Sequence, residues 1–209
     1  MKLKIESKIL LGMLCIAPKI DIREYLKGIF IETIGDDAIV VATDGRVLGA
    51  YYCRDVCARD DDDADTSFII PRVLLESAKL RNKGVCEITI GKKGATDLPR
   101  DISLTENLGG TIFGKEVDGA FPSWRRPIPK SVSGETAQFD PALIQKFAEA
   151  SYRINGTKRD AMNHVFIGHN GEAGALITIG REEFVGVLMP LRMAHVADSI
   201  PTAPPAWAM

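Results

Sequence analysis

The sequence lacks the features that mark a membrane or secreted protein. No window contains the roughly 18 consecutive apolar residues that a membrane-spanning helix requires. Residues 1–5 alternate between polar and apolar types and lack the unbroken apolar core of a signal peptide. These two absences predict an intracellular protein of the cytoplasm.

Cysteine is scarce, and its spacing argues against two kinds of site. The four cysteines are Cys15, Cys53, Cys57 and Cys86, and none belongs to the C-x-x-C pattern of zinc and redox motifs. They lie in or beside apolar runs, which favours buried free thiols in a reducing compartment. We expect no metal and no cofactor.

Neither sign of charge dominates, because 26 basic residues face 28 acidic ones and the formal net charge is −2. Any attraction to nucleic acid must therefore come from local patches. The acidic run 59–65 lacks the glycine and distal glutamate of an EF-hand loop, and residues 91–94, GKKG, lack the G-K-[ST] of a phosphate-binding loop. Both segments are predicted to be solvated loops or turns.

The chain does contain a recurring order of elements. With 45% hydrophobic and 26% charged residues it has a globular composition. A strand, an amphipathic helix and a set of strands occur three times, at a spacing of roughly 65 residues. The helices are predicted over 8–19, 72–84 and 141–154, the last with Asp140 as N-cap and Pro141 in its first turn. This order predicts an α+β fold.

Helical periodicity predicts which face of each helix is buried. The first helix presents Lys8, Gly12, Cys15 and Lys19 on its polar side. The predicted inward residues are Ile9, Leu10, Met13, Leu14 and Ala17, then Val73, Leu74, Leu75 and Ala78, then Leu143, Ile144, Phe147, Ala148, Ser151 and Ile154.

Two stretches stand outside these units. Residues 116–134 are rich in proline, glycine and serine and predict a domain boundary. Residues 194–209 are rich in proline and alanine and predict an irregular tail. Two strand-helix-strands units would close one domain, so a third unit favours association with another chain.

The stretch VVATDGRVLGAYY, residues 40–52, places a polar turn, Thr43-Asp44-Gly45-Arg46, between two apolar runs. Asp-Gly between β-rich runs is a strong hairpin signal, because glycine accepts the positive φ of a tight turn. From these residues alone the stretch is a hairpin and nothing more.

Four stretches resemble a known family in order, spacing and residue type: DIREYLKGIFIE, VVATDGRVLGAYY, SFIIPRVLLE and VDGAFPSWRRPIPK. They are similar to the middle domain of the bacterial DNA polymerase III beta subunit, the sliding clamp, and VLMPLRM resembles that family's C-terminal signature. The resemblance implies a DNA-clamp fold with one clamp domain over 1–130 and half of another over 131–193. The family's first domain and part of its last would be missing, and 194–209 would have no counterpart.

The resemblance further implies a non-enzymatic processivity factor of DNA replication that encircles duplex DNA without sequence preference and tethers a polymerase. The family's ring has twelve helix-bearing units, so four chains of three units would complete one, which suggests a homo-tetramer. The helices would face the hole. The DNA-facing residues would be Lys8, Lys19, Arg72, Lys79, Lys83, Lys146 and Arg153, with Arg81, Lys158 and Arg159 beside them. Each of these cations is equally typical of a solvated helix face.

A pocket for short peptides of polymerases and clamp loaders is also implied. By position it would use Arg23, Leu26, Thr43, Gly45, Arg46, Val47, Leu48, Pro122, Arg126, Pro127, Val187, Met189, Pro190, Leu191 and Arg192. Methionine and leucine would provide an adaptable apolar floor, and arginines a polar rim. Val47 stands where the family usually has arginine, and Pro127 where a small aliphatic residue is common, so the peptides accepted would differ.

One alternative remains open beside a compact processivity clamp, which would suit a phage or mobile element. A clamp mimic or regulator would bind replication partners through the same pocket without forming a ring. A hydrolase using Asp44 and a histidine is disfavoured. His164 and His169 are five residues apart on a predicted strand, so their imidazoles would lie on opposite faces.

Overall fold

The computed structural model describes residues 1–59, 64–92, 98–106, 110–156 and 164–192. The predicted tail 194–209, most of the acidic run, residues 93 and 94, and Lys158 and Arg159 lie outside the described residues. In the described part of the chain, no helix is long and apolar enough to cross a membrane.

The described residues form twelve strands, three α-helices and one short 3₁₀ helix, Glu24–Leu26. The helices are α1 (Ser7–Ile16), α2 (Arg72–Ser77) and α3 (Pro141–Asn155). The strands are β1 (Lys2–Glu6), β2 (Gly28–Ile34), β3 (Asp37–Thr43), β4 (Val47–Cys53), β5 (Cys57–Ala58), β6 (Ser67–Pro71), β7 (Val85–Ile90), β8 (Asp101–Glu106), β9 (Thr111–Lys115), β10 (Phe166–Gly168), β11 (Ala175–Thr178) and β12 (Phe184–Leu188).

The strands form two antiparallel sheets. The smaller sheet has the order β5-β1-β7-β8-β9 and the larger one the order β10-β11-β12-β4-β3-β2-β6. Helices and antiparallel sheets follow one another along the chain without parallel crossovers, so the predicted α+β class is confirmed.

The first two units exchange their leading strands. β1 pairs with β7 of the second unit, with Leu3 opposite Ile88, and β6 pairs with β2 of the first unit, with Phe30 opposite Ile69. Alternate β1 residues are buried, as expected for a strand with one face on the core. Each unit therefore completes the sheet of the other.

The third unit lacks the predicted leading strand, because residues 134–140 belong to no strand. Its last strand, β12, pairs instead with β4 of the first unit, with Gly186 opposite Gly49. Residues on both sides of the predicted boundary at 116–134, such as Ile31 and Phe147, belong to one hydrophobic core. The boundary segment therefore connects two parts of a shared core.

The first and third helices bury most of the predicted residues, but three positions differ from the prediction: Gly12, Ala148 and Ile144, which is only half-buried. All five inward residues predicted for the first helix are buried, but Gly12 is also buried, because α3 packs against it. In α3, Ala148 is exposed and Ala150 is buried, so that prediction was wrong by half a turn. Asp140 caps α3 as predicted, since its Oδ1 accepts a hydrogen bond from the Ala142 N–H at 2.9 Å.

The second helix is shorter than predicted and ends at Ser77. Leu74 and Leu75 are buried as predicted, but Val73 is 69% exposed. Lys79 adopts a left-handed φ of 49°, so neither it nor Lys83 extends the face of this helix.

All four cysteines are free thiols, as predicted. Cys53 and Cys86 are buried, and burial raises the pKa of each to about 12. Cys15 and Cys57 are only partly buried.

Gly12 provides a test of the packing between α1 and α3. A Cβ at this position would lie 2.6 Å from Ile154 Cγ1, so we expect Gly12→Val to lower the free energy of unfolding by about 1–3 kcal/mol. Urea unfolding measures the change. The matched control is Gly110→Val, which has open space around it and should change stability by no more than about 0.5 kcal/mol. Equal stability of the two variants would contradict this packing.

Candidate functional site

The polar turn closes the hairpin between β3 and β4, as predicted. Gly45 has a φ of +91°, and Asp44 Oδ1 accepts hydrogen bonds from the N–H groups of Arg46 and Val47 at 2.7 and 2.8 Å. The Thr43 hydroxyl donates to the Val47 carbonyl at 2.6 Å. Short polar side chains thus hold the backbone of the turn in one conformation.

Asp44 also connects the polar turn to two helices. Its Oδ2 accepts a hydrogen bond from Lys146 Nζ of α3 at 2.6 Å, and the same ammonium donates to the Ile16 carbonyl at the end of α1. Burial raises the pKa of the Asp44 carboxyl, but hydrogen bonds from Lys146 and two backbone N–H groups outweigh it, so the pKa lies below its ordinary value. The carboxylate is only 7% exposed, and it is paired.

The last described strand, β12, meets the polar turn, as the family resemblance implies. Leu188 lies opposite Val47 in the ladder between β12 and β4, and Val187 lies opposite Leu48. The N–H of Met189 then donates to the Arg46 carbonyl at 2.9 Å.

The segment around Trp124 lies on the outer face of the larger sheet. Phe121 stacks on Phe30 with ring centroids 4.5 Å apart, and Trp124 Nε1 donates to Glu32 Oε2 at 3.0 Å. Arg125 stacks over the Trp124 ring at 4.1 Å and pairs with Glu32 at 2.8 Å. Trp124 is thereby buried in a small cluster with Leu48 and Val187.

These segments enclose an open groove of about 540 Å³, which we call the apolar groove. Eight of the predicted pocket residues line it, and sequence reasoning missed three others, Tyr25, Ser123 and Trp124. The signal that could have drawn attention to Trp124 is its large aromatic side chain within a proline-containing polar segment, FPSWRRP, because a buried tryptophan N–H usually finds a hydrogen-bond partner. The predicted residues that line the groove are Arg23, Leu26, Thr43, Gly45, Leu48, Pro122, Arg126 and Pro127.

The other predicted pocket residues lie elsewhere. Val47 is buried in the main core, because successive residues of a strand face opposite sides and Leu48 faces the groove. Val187 packs beneath the groove beside Leu48. Arg46 is 65% exposed beside a neighbouring groove. Beyond β12, Met189 Sδ and the Pro127 carbonyl oxygen lie 3.5 and 3.7 Å from the Cβ position of Gly174, and Pro190, Leu191 and Arg192 follow toward the surface.

The predicted DNA-facing cations occupy different environments. Arg72 is only 11% exposed, because its guanidinium donates to the carbonyls of Leu14 and Ala17 at the end of α1. Lys146 is bound to Asp44, and Lys8 pairs with Glu6. The remaining cations, Lys19, Lys79, Lys83 and Arg153, together with Arg81, are exposed.

The side chains of both described histidines contact other residues of the fold. His169 Nδ1 accepts a hydrogen bond from the Ala137 N–H at 3.2 Å, and the His164 ring packs edge-on against Phe166. Among the residues that the structure describes, no group of three His, Cys, Asp or Glu side chains converges to hold a metal.

Comparison with known proteins finds similar sequences and similar structures. No family model matches the chain. The beta sliding clamp of Escherichia coli is 33% identical over 143 residues, which cover 65% of this chain and 34% of that protein. That of Haemophilus influenzae is 31% identical over 147 residues, covering 66% and 36%. The chain thus spans about a third of the length of these curated relatives.

Solved structures extend the comparison over nearly the whole chain. The DNA polymerase III subunit beta of Pseudomonas aeruginosa covers 92% of this chain, with a TM-score of 0.60 at 18% identity, and 66% of that protein is matched. The Helicobacter pylori beta clamp bound to a DNA ligase peptide covers 91%, with a TM-score of 0.64 at 13% identity, and 65% of that protein is matched.

The fold is therefore that of a DNA sliding clamp. More particularly, the chain is a homologue of part of the bacterial beta sliding clamps, as the sequence motifs predict.

The bond between Lys146 and Asp44 predicts a pH-dependent effect. We expect Lys146→Met to lower the free energy of unfolding at pH 7 by about 1–3 kcal/mol, because a nearly buried carboxylate loses its charged donor. The folded pKa of Asp44 is depressed, so the contribution of Asp44 to stability is present above its unfolded pKa of about 4 and is lost as pH falls through the folded pKa.

The stability difference between the wild type and Lys146→Met, measured by urea unfolding, should therefore persist from pH 7 to about pH 4 and narrow as pH falls further, to about pH 3. Lys130→Met, at an exposed position, is the control and should change stability little at either pH. A difference that stays constant with pH would contradict the assigned role of Asp44.

Proposed function

We propose that this protein is a DNA clamp that tethers a DNA polymerase through the apolar groove. The observation that carries the proposal is the groove itself. Three segments far apart in sequence, around Leu26, Leu48 and Trp124, converge on it, and all three lie in stretches that resemble the clamp family. The structurally similar beta clamp of H. pylori is known with a DNA ligase peptide bound to it, which supports a peptide as the ligand here.

The groove has the chemistry of a site for a short peptide with apolar anchors. Leu26 and Leu48 form an apolar floor, and Trp124 is fixed in place by its hydrogen bond to Glu32. Arg23 and Arg126 stand at the rim, where guanidinium groups can donate to peptide carbonyls. The volume of about 540 Å³ falls within the range of ligand sites and accommodates one or two large side chains.

Filling the groove tests this role. Ser123 is exposed and lines the groove, so we expect Ser123→Trp to occupy it and to weaken peptide binding at least tenfold, by about 1.4 kcal/mol or more. Calorimetric titration with a short peptide carrying one leucine and one phenylalanine anchor provides the measurement. Ser131→Trp, exposed on the same segment but outside the groove, is the matched control. Undiminished binding to Ser123→Trp would refute the groove as the peptide site.

We also propose that several chains of this protein join into a ring around duplex DNA. In the described region, β9 pairs only with β8 and β10 only with β11, so each sheet ends in an open edge. Both edges expose an aromatic side chain, Phe113 at 79% and Phe166 at 48%. Two different edges form a head-to-tail contact, which closes into a ring when the rotation permits. We propose a ring of four chains, each with three helix-bearing units.

The helices supply the proposed DNA-facing side. Arg153 lies on α3 and reaches the Cys15 thiol of α1. Arg153, Lys79 and Lys83 are exposed cations that suit non-specific contact with phosphates in the proposed ring. Arg72, Lys146 and Lys8 are left out because each bonds to another group of the fold.

Ring closure is tested on DNA that has no ends. We expect the wild type to be retained on nicked circular DNA after loading and to be released when the circle is cut. A closed ring cannot leave a circular duplex, but it slides off the free ends of a linear one. Phe113→Lys places a charge at the β9 edge, so it should give a smaller mass by light scattering and lose the retention. Ile34→Lys, exposed at a turn away from both edges, is the control and should keep both. A wild type that is monomeric at high concentration would refute the ring.

The second candidate function, a clamp mimic or regulator, rests on the same groove without the ring. Peptide binding by a chain that is never retained on circular DNA would favour it.

A further inference from the structure

A second groove lies on the other side of the polar turn. It has a volume of about 600 Å³, and Arg23 and Gly45 line both grooves. We call it the polar groove. Its lining residues are Pro18, Lys19, Ile20, Asp21, Arg23, Asp44, Gly45, Arg46 and Lys146.

The carboxylates of the polar groove are already neutralised within the fold. Asp21 accepts two hydrogen bonds from the Arg23 guanidinium, at 2.9 and 2.8 Å, and is only 14% exposed. The hydrogen bonds from Arg23 lower the pKa of Asp21 to about 2. Asp44 is bound to Lys146 and is 7% exposed. Neither carboxylate presents a free negative charge to a ligand.

The cations of the polar groove are accessible instead. Arg46 is 65% exposed, and its one described ion pair, with Asp140, is long at 3.5 Å. Lys19 is exposed, and Arg23 is 43% exposed although it binds Asp21. The polar groove therefore offers positive charge to solvent, next to an apolar site, in a protein whose net charge is −2.

We propose that the polar groove binds acidic side chains of the same peptide whose apolar anchors fill the apolar groove. Gly45 and Arg23 form the boundary between the grooves, and the Arg23 guanidinium lies 3.4 Å from the Cβ position of Gly45, so a peptide that passes from one groove to the other meets a cation there. Lys19 and Arg46 then pair with aspartate or glutamate next to the anchors. This inference rests on the proposed peptide-binding function and extends it to a class of ligand, an apolar motif flanked by acidic residues.

Fluorescence anisotropy with two labelled peptides tests the proposal. Both peptides carry the same leucine and phenylalanine anchors, and one also carries two aspartates beside them. We expect the acidic peptide to bind wild-type protein about five- to tenfold more tightly at low salt, as two solvent-accessible ion pairs would give. The ratio of the two dissociation constants is the readout.

The double variant Lys19→Gln, Arg46→Gln should bring this ratio close to one. The double variant Lys4→Gln, Lys130→Gln removes the same charge from exposed positions elsewhere and should keep the wild-type ratio. A ratio close to one in the wild type, or one that survives in Lys19→Gln, Arg46→Gln, would overturn the proposal. Weaker binding of duplex DNA by this variant with an unchanged ratio would assign the polar groove to phosphates, and would also overturn it.

The two peptides separate this inference from the function on which it rests. Absence of binding by the peptide without aspartates would refute the apolar groove as a peptide site. Binding of that peptide with no gain from the aspartates refutes only the role of the polar groove.

Discussion

The pairing of β12 with β4 is the contact on which the rest of the structure depends. It joins the third unit to the first, and at its centre two glycines, Gly49 and Gly186, lie opposite each other. A side chain at either position would collide with a helix: Ile16 Cδ1 lies 2.3 Å from the Cβ position of Gly49, and Phe147 Cε1 lies 2.7 Å from that of Gly186. The missing side chains thus let α1 and α3 lie directly on the seam between the units.

The polar turn stands at one end of this seam and combines structural and surface roles. Asp44 and Lys146 bond across the junction of α1, α3 and the turn, inside the fold. Gly45 and Arg46, the next two residues, remain exposed and border the grooves on either side. Because internal bonds fix the backbone of the turn, its outer residues hold their positions without a ligand, which lowers the entropic cost of binding.

The similarity to the beta sliding clamps is uneven along the chain. Sequence identity of 33% covers 65% of the chain, whereas structural similarity covers about 92% at 18% identity. Architecture depends on burial patterns and register, which many sequences satisfy. The groove depends on a few particular side chains, and Val47 is not one of them, because its side chain lies in the core.

Short-range patterns in the sequence determined the helices, the hairpin at the polar turn, the Asp140 cap and the buried face of α1, because each follows from the spacing of residues close together in the chain. The motifs also indicated the family and eight of the groove residues. Tertiary structure alone decided which strands pair, because register between distant segments depends on shared burial. It placed Trp124 against Glu32, turned Val47 inward, buried Gly12 under α3, and directed Arg72 and Lys146 to bonds within the fold, since a long cationic side chain takes whichever partner the packing brings within reach.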